Sequence, residues 1–335
     1  MIFEEHIHKT PRHETFYLAS GPRDAPLIIF AHGWPELSLS WRHQLKYFGE
    51  RGWRAIAPDM RGYGRSTVHR RHEDYALEES VADMLELLAH LGREQAIWVG
   101  HDWGSPVVWA LASHHPEKCR GVASLCVPYA PAGFGPANLV PFVDREVYPA
   151  EQYPVGQWDY QFFYLESFDK ARTTFEANVR NTVKALFRKG DPSRQGTPNR
   201  LASVRRDGGW FGGKGAAPDV PLDRDLLTEE DLEQYAGALE RNGFFGPDSW
   251  YMNAERNIAY AKRARNGGRL SLPVLFFHGL YDYTCETVRS TLAEPMREYC
   301  TGLTEVRVPS GHWMAQEKPD LVNAGLSDWL AAQFP

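Results

Sequence analysis

The sequence predicts an α/β fold in which a mostly parallel, eight-stranded sheet is flanked by helices and interrupted by an inserted, mainly helical cap. Short apolar runs alternate with helical patterns in two separate stretches, which is typical of a parallel sheet with helices on both faces. Between these stretches the strand patterns stop, and proline, glycine and aromatic residues become frequent. A chain of 335 residues, 43% of them hydrophobic, is long enough to bury such a core.

Eight segments have the short, apolar character of buried strands, and the first two form a predicted hairpin. The predicted strands are Ile2 to His8, Glu14 to Ala19, Pro26 to Ala31, Arg54 to Pro58, Ala96 to Gly100, Val122 to Val127, Val274 to His278 and Glu305 to Val308. The clearest helix runs from Leu77 to Leu91, where apolar residues recur at spacings of three and four. This helix therefore lays one apolar face on the sheet.

The loss of alternation after the sixth strand predicts an insertion. We expect residues 1–129 and 269–335 to form the two parts of one core, with residues 130–268 as a helical cap. The interior of this insertion, from about Gly190 to Asp225, is rich in glycine, proline, arginine and aspartate. Such a composition predicts a flexible excursion over the surface.

Composition excludes several classes of partner. The formal net charge is only -6 and the basic residues are dispersed, so neither nucleic acid nor anionic lipid is an expected partner. No apolar run approaches the roughly 18 to 20 residues that span a bilayer, and the polar start does not fit a secretory signal. We therefore expect no membrane insertion and a cytoplasmic location. The oligomeric state is open between monomer and homodimer.

The run from Gly100 to Gly104 places an aspartate at a tight turn between a strand and a helix. It has the pattern Gly-x-nucleophile-x-Gly, with Asp102 where an esterase has serine. Two glycines permit a turn that pushes the central side chain out above the sheet. The same five residues fit equally well an aspartate that caps the following helix.

An aspartate nucleophile requires a separate base. Its attack on saturated carbon forms an ester whose carbonyl belongs to the enzyme, so water must attack the side chain itself. His312 follows the last predicted strand and Asp282 follows the strand before it. In proteins with this type of turn, the nucleophile, the acid and the histidine follow one another along the chain in this order. A surface histidine and a strand-terminating aspartate are the alternatives, and the joint placement at strand ends favours the catalytic interpretation.

A second loop could stabilise an oxyanion. His32-Gly33-Trp34-Pro35 follows the third predicted strand, and a main-chain N–H here can join that of the residue after the nucleophile. We assign this role to the main chains of Trp34 and Trp103. An ordinary turn explains Gly33-Trp34-Pro35 as well when that tripeptide is taken alone.

These motifs together resemble the soluble epoxide hydrolases of the α/β-hydrolase fold over nearly the whole chain. The matching runs are HGWPE (residues 32–36), PDMRGYGRS (58–66), GHDWG (100–104) and SGHW (310–313). All but the third are shared with other α/β-hydrolases. Aspartate at position 102 narrows the reaction to epoxide hydrolysis or to haloalkane or haloacid dehalogenation.

The resemblance places two ring-opening tyrosines in the cap. The run WDYQFFYL contains Tyr160, and FFGPDSWYMNAERN contains Tyr251 and matches the family's cap motif residue by residue. Two phenols can donate hydrogen bonds to an epoxide oxygen and protonate the alkoxide, whereas a halide needs no acid. Tyr164 competes with Tyr160 for the first role, because aromatic residues crowd this segment.

The resemblance also implies details around these residues. It suggests a cis bond between Trp34 and Pro35, and it places Glu36 and His101 behind the reacting groups, where Glu36 would help to position water. Both residues could equally be structural. No cofactor and no metal is expected, because nucleophile, acid and base are all side chains.

The sequence thus predicts an enzyme that converts a small apolar or aromatic epoxide and water into a vicinal diol, through an ester on Asp102. A haloalkane-type dehalogenase with the same nucleophile is the nearest alternative. A hydrolase-fold receptor that binds a ligand without turnover is an alternative from a different class. Haloalkane dehalogenases commonly carry Asn at the position of Trp34, and dehalogenases of the fluoroacetate type carry Arg at the position of Trp103. The two tryptophans therefore argue against binding of halide or of a carboxylate.

Overall fold

The sheet of the computed structural model contains all eight predicted strands. The structure describes residues 3–334, so Ile2, the first residue of the first predicted strand, lies outside the described residues. The spatial order is β1-β2-β4-β3-β5-β6-β7-β8. The bounds are β1 Glu4–Lys9, β2 Glu14–Ser20, β3 Leu27–Ala31, β4 Arg54–Pro58, β5 Ala96–His101, β6 Cys119–Leu125, β7 Leu270–Gly279 and β8 Cys300–Val308.

The sheet is parallel except at one edge. β1 pairs with β2 and β2 pairs with β4 in antiparallel register, whereas every pair from β4 through β3 to β8 is parallel. β3, β4 and β5 are buried at every position, which is expected of strands covered on both faces. The predicted α/β class, with a mostly parallel eight-stranded sheet, is confirmed.

Helices cover both faces of the sheet. The predicted helix from Leu77 begins as expected and ends at His90, and it buries Val81, Met84 and Leu88 on one face. The helices of the core are α1 Arg42–Gly49, α2 Leu77–His90, α3 Gly104–His114, α10 Glu294–Tyr299, α11 Met314–Glu317 and α12 Pro319–Gln333.

Helices and turns make up the chain between β6 and β7. The helices here are α4 Pro136–Leu139, α5 Asp159–Glu176, α6 Val179–Leu186, α7 Glu229–Asn242, α8 Phe245–Ser249 and α9 Ala254–Ala261. α5 bends at Ser167, whose φ and ψ are not helical. A reciprocal pair of hydrogen bonds between Thr228 and Asp231 caps the start of α7.

Residues 190–225 form short turns between α6 and α7, and only part of this segment is a surface excursion. Trp210 is just 6% exposed and packs against Trp34. The expectation of a purely surface loop is therefore wrong at this point, because a large apolar side chain within the segment gains more by burial than by exposure.

The described part of the chain has no helix with the length and hydropathy needed to cross a bilayer.

Candidate active site

Asp102 lies at the sharp turn between β5 and α3, at the carboxyl edge of the sheet. Its φ is 48°, in the left-handed region that non-glycine residues rarely adopt. The turn is tight, since a Cβ on Gly104 would lie 2.1 Å from the main-chain oxygen of Ala31. Only glycine at position 104 lets α3 start this close to β3, and the turn holds the Asp102 side chain above the sheet.

Two more strand ends bring His312 and Asp282 to the same place. His312 follows β8, Asp282 follows β7, and parallel strands end at one edge of the sheet. The Nδ1 atom of His312 lies 2.8 Å from Oδ2 of Asp282, and its Nε2 atom lies 3.3 Å from Oδ2 of Asp102. The structure thus joins the three residues into one chain of polar contacts.

The surroundings of Asp282 keep it ionised. Burial alone would raise its pKa, but the imidazole of His312 and main-chain hydrogen bonds lower it overall. Oδ1 of Asp282 accepts hydrogen bonds from the main-chain N–H groups of Thr284 and Cys285, at 2.9 and 3.1 Å. Burial opposes the charged imidazole, yet Asp282 and Asp102 together raise the pKa of His312 well above its usual range. The resting site therefore favours a protonated His312 between two carboxylates.

The loop after β3 contacts the nucleophile directly. The main-chain N–H of Trp34 donates to Oδ1 of Asp102 at 2.7 Å. A Cβ on Gly33 would lie 2.4 Å from that oxygen and 2.6 Å from the main-chain nitrogen of Trp103, so glycine is needed for this approach. The expected cis bond between Trp34 and Pro35 is confirmed. The main-chain N–H of Trp34 thus contacts the Asp102 carboxylate, and the main-chain nitrogen of Trp103 lies close to Gly33.

A buried ion pair lies behind the nucleophile. Oε2 of Glu36 is 2.7 Å from Nδ1 of His101 and also accepts the main-chain N–H of Gly33 at 2.9 Å. Burial opposes both charges, but each group stabilises the other: the pKa of His101 is raised to about 10 and that of Glu36 is lowered to about 2. With both nitrogens protonated, His101 also donates through Nε2 to the main-chain oxygen of His312 at 2.7 Å. The pair therefore ties the Gly33 loop to the His312 loop.

Tyr160 and Tyr251 face the nucleophile across a shared cavity. Tyr160 lies on α5 and Tyr251 just after α8, and their rings meet edge to face with centroids 5.7 Å apart. Burial, with a smaller effect from nearby groups that include the Asp102 charge, raises the pKa of both phenols far above the usual range. Both hydroxyl groups therefore remain protonated and able to donate.

Tyr164 occupies a different position from Tyr160. Its ring stacks on that of Tyr251 at a centroid distance of 4.4 Å, and its hydroxyl group donates to Oδ1 of Asp248 at 3.3 Å. Tyr164 does not line the cavity that holds the nucleophile, whereas Tyr160 does. The geometry therefore favours Tyr160 for contact with a substrate.

The cavity above Asp102 has a volume of about 810 Å³ and is lined by residues at the sheet edge and by residues of the segment between β6 and β7. This is within the range of small-molecule sites. Its inner wall is aromatic, and its outer part is polar and includes Arg188, Lys189, Arg194 and Arg200. Six of the predicted site residues line it, namely Trp34, Asp102, Tyr160, Tyr251, Asp282 and His312. Pro35, Glu36, His101 and Trp103 are buried behind this wall or beside it.

Three residues at this site were not singled out by sequence reasoning. Trp210 and Trp313 line the cavity, and Trp210 stacks on Trp34 with centroids 5.9 Å apart. Asp248 is fully buried beside the cavity and accepts the indole N–H of Trp34 at 2.9 Å. Two features of the sequence could have indicated them. Trp210 is a tryptophan in a glycine-rich polar segment, and Asp248 is an acidic residue inside the aromatic run before Tyr251.

Potential metal ligands among residues 3–334 come together only around His312. The two sets are His101, Cys126 and His312, and Asp282, Cys285 and His312. Both share the imidazole whose nitrogen atoms contact Asp282 and Asp102. These clusters therefore coincide with the polar contacts already described.

Known proteins resemble this chain over most of its length. The chain matches the family model of the alpha/beta hydrolase fold over residues 26–319. It is 33% identical to epoxide hydrolase A of Mycobacterium tuberculosis, covering 93% of this chain and 92% of that protein. It is 35% identical to bifunctional epoxide hydrolase 2 of Sus scrofa over 91% of this chain, but it spans about half (51%) of that longer relative.

Solved structures show the same likeness in three dimensions. The crystal structure of epoxide hydrolase A from Mycobacterium thermoresistibile superposes with a TM-score of 0.80 at 29% identity, covering 98% of each chain. An epoxide hydrolase from an endophytic Streptomyces gives a TM-score of 0.79 at 29% identity, covering 98% of this chain and 96% of the other. The chain therefore belongs to the α/β-hydrolase fold family and, within it, to the epoxide hydrolases.

Proposed function

We propose that this protein hydrolyses an epoxide to a vicinal diol through a covalent ester on Asp102. One observation carries the proposal: a carboxylate in contact with an imidazole lies in the same cavity as two buried, protonated phenols. This combination provides a nucleophile, a base for the hydrolysis of its ester, and acids for the leaving oxygen. All three groups are side chains of this chain.

Ring opening begins with Oδ2 of Asp102. The other oxygen, Oδ1, is held by the main-chain N–H of Trp34, so Oδ2, which lies 3.3 Å from Nε2 of His312, is the atom that attacks. It forms a bond to one ring carbon as that carbon's bond to the epoxide oxygen breaks. Tyr160 and Tyr251 donate hydrogen bonds to this oxygen, and a proton from them turns the alkoxide into an alcohol. Oδ1 then becomes the carbonyl oxygen of the ester.

Hydrolysis of the ester uses His312. Formation of the ester removes the negative charge of Asp102, which is one of the groups that raise the pKa of His312. The imidazole can then give up its proton, which restores the tyrosine that protonated the alkoxide, and accept one from a water molecule that attacks the carbonyl carbon. Asp282 orients the imidazole and stabilises its charged form. The N–H groups of Trp34 and Trp103 stabilise the charge on Oδ1, and the diol leaves with the former Oδ2, which takes a proton from the His312 imidazolium.

Glu36, His101 and Pro35 support this machinery without lining the cavity. Glu36 holds the loop that carries Trp34, and His101 holds the loop that carries His312. We infer that they keep the oxyanion donors and the base at the correct distance from Asp102. The burial of Glu36, 2% exposed and paired with His101, favours this role over contact with the hydrolytic water.

The lining of the cavity suggests the class of substrate. Trp34, Tyr160, Trp210, Tyr251 and Trp313 surround the nucleophile with aromatic surface. A small apolar or aromatic epoxide fits such a wall, because its substituent gains from burial while its oxygen meets the two phenols. We propose that residues 130–268 act as the cap that brings Tyr160, Trp210 and Tyr251 over the core.

The alternatives explain fewer of these features. A dehalogenase releases halide, which needs no proton, and would leave the two phenols above the nucleophile without a role. A receptor that only binds a ligand needs neither the contact of His312 with Asp102 nor that with Asp282. Epoxide hydrolysis uses each of these contacts.

A single turnover in water enriched in heavy oxygen tests the proposal. With enzyme in excess over styrene oxide, the first diol should carry no solvent oxygen, because its new hydroxyl group comes from Asp102. The peptide that contains Asp102 should gain the label, as read by mass spectrometry. A labelled diol with an unlabelled peptide would show direct hydration and would overturn the ester mechanism.

A further inference from the structure

Asp248 is a fully buried acidic residue that the proposed mechanism does not use. It lies on α8, three residues before Tyr251, and it is 0% exposed. No basic side chain forms an ion pair with it among residues 3–334, and its Oδ2 atom has no hydrogen-bond partner there. Its other oxygen, Oδ1, accepts two hydrogen bonds, one from the indole N–H of Trp34 and one from the hydroxyl group of Tyr164.

The two donors connect Asp248 to both halves of the proposed reaction. Trp34 is the residue whose main-chain N–H contacts Oδ1 of Asp102 at 2.7 Å. Tyr164 stacks on Tyr251 with an interplanar angle of 7°. A single buried oxygen therefore links the loop after β3, helix α5 and helix α8, and each of these elements places a reacting group.

We propose that Asp248 is a positioning residue for ring opening and for ester hydrolysis. It holds the indole of Trp34, which keeps the main-chain N–H of Trp34 in place as an oxyanion donor, and it holds the hydroxyl group of Tyr164, which keeps the ring of Tyr251 in place. This inference rests on the proposed function. Asp248 does not itself line the cavity, although it contacts the lining residue Trp34, so it acts through its two donors.

The arrangement needs an acceptor and not a negative charge. A buried carboxylate with one unpartnered oxygen is costly, whereas the neutral acid retains Oδ1 as an acceptor. Burial raises the pKa of Asp248 well above its usual range, although the hydrogen bonds from Trp34 and Tyr164 oppose the rise. Asparagine keeps an equivalent oxygen and should replace Asp248 with little loss, whereas leucine keeps similar bulk and removes the acceptor.

The effect on rate follows from the loss of pre-organisation. Without the acceptor, the indole of Trp34 and the phenol of Tyr164 are both buried without a partner and will shift to find one. Trp34 then no longer holds its main-chain N–H against Asp102, and Tyr164 no longer fixes the plane of Tyr251. Small displacements of such groups reduce rates strongly, so we expect a loss of at least about 10-fold in each step.

The test measures the two steps separately in single turnovers of styrene oxide with the full-length protein. Quench-flow with mass spectrometry gives one rate constant for formation of the ester and one for its hydrolysis. Asp248→Leu should lower both by at least about 10-fold, and Asp248→Asn should stay within about threefold of the wild type. Tyr164→Phe, which keeps the stacked ring, should slow ester formation only.

Controls separate positioning from stability. Thr228→Ala removes the cap of α7, away from the cavity, and should lower the melting temperature without changing either rate constant. If Asp248→Leu does not fold, Trp34→Phe combined with Tyr164→Phe removes both donors instead and should show the same loss. If Asp248→Leu folds and has wild-type rate constants, the proposal is overturned. If Asp248→Leu does not fold, wild-type rate constants in the double variant overturn it. Equal losses in Asp248→Leu and Asp248→Asn would also overturn it. A wild-type protein that forms no ester would instead refute the proposed function, and this inference with it.

Discussion

Replacement of Glu36 by glutamine should destabilise the protein by disrupting the ion pair behind the nucleophile. The Glu36 carboxylate and the His101 imidazole are each 2% exposed, and their nearest polar atoms are 2.7 Å apart. Loss of one charge leaves the other buried and uncompensated, which typically costs about 3–5 kcal/mol. The free energy of unfolding should fall by this amount, because the His101 imidazolium that remains cannot regain its hydration in the folded state.

The corresponding change in melting temperature can be worked out from the size of the chain. An unfolding entropy of about 2 cal/mol/K per residue, for 335 residues, gives about 0.7 kcal/mol/K. A loss of about 3–5 kcal/mol therefore lowers the Tm by about 4–7 °C.

The pH dependence of this difference has a defined sign. The folded-state pKa of His101 is raised from 6.5 to about 10, so its contribution to stability is complete below pH 6.5 and is lost as the pH rises through 10. The pKa of Glu36 is lowered from 4.5 to about 2, so its contribution is complete above pH 4.5 and is lost as the pH falls through 2. The Tm difference between wild type and Glu36→Gln should be largest between pH 4.5 and 6.5.

Calorimetric scans inside this window and at alkaline pH measure the difference. Glu50→Gln is the matched control, since Glu50 pairs with Lys46 at 2.6 Å but its side chain is 55% exposed. An exposed pair of this kind contributes less than about 1 kcal/mol. A Tm change for Glu36→Gln no larger than that of the control, or one independent of pH, would refute the reasoning about the buried pair.

Three further substitutions test the proposed steps. Asp102→Ala should abolish diol formation and lower the Tm by no more than about 1–3 °C, the cost of alanine at a left-handed position, as followed by product chromatography and circular dichroism; normal turnover would exclude Asp102 as nucleophile. His312→Gln should form the ester but not hydrolyse it, so that intact-protein mass rises by the mass of the epoxide; an unmodified protein after exposure would count against this role. Tyr251→Phe should slow ester formation by at least about 10-fold in stopped-flow measurements, because one of two acids is lost; an unchanged rate would leave Tyr251 a packing residue.

Much of the core of the site could be predicted because its parts are local in sequence. Asp102, Asp282 and His312 each follow a short apolar strand, and a parallel sheet brings the ends of such strands to one edge. The spacing of Gly100 and Gly104 around Asp102 reflects a turn that is itself local. These features depend on a few neighbouring residues, so the sequence alone predicted where they lie.

The choice between Tyr160 and Tyr164 could not be made in this way. The two residues are four positions apart, about one helical turn, and therefore lie on the same face of α5. Only the packing of α5 against α8 decides that Tyr164 stacks on Tyr251 and bonds to Asp248, while Tyr160 lines the cavity. Periodicity carries no information about which partner a helix face meets.

The sequence by itself determined the α/β class, the order of the eight strands along the chain and the residues at their carboxyl ends, because each depends on short-range patterns of apolar, glycine and polar residues. Only the tertiary structure placed Trp210 on Trp34 and turned Asp248 towards the indole of Trp34, 214 positions away. Such contacts join the segment between β6 and β7 to the rest of the chain, and the free energy that selects them comes from burial across distant segments of the chain.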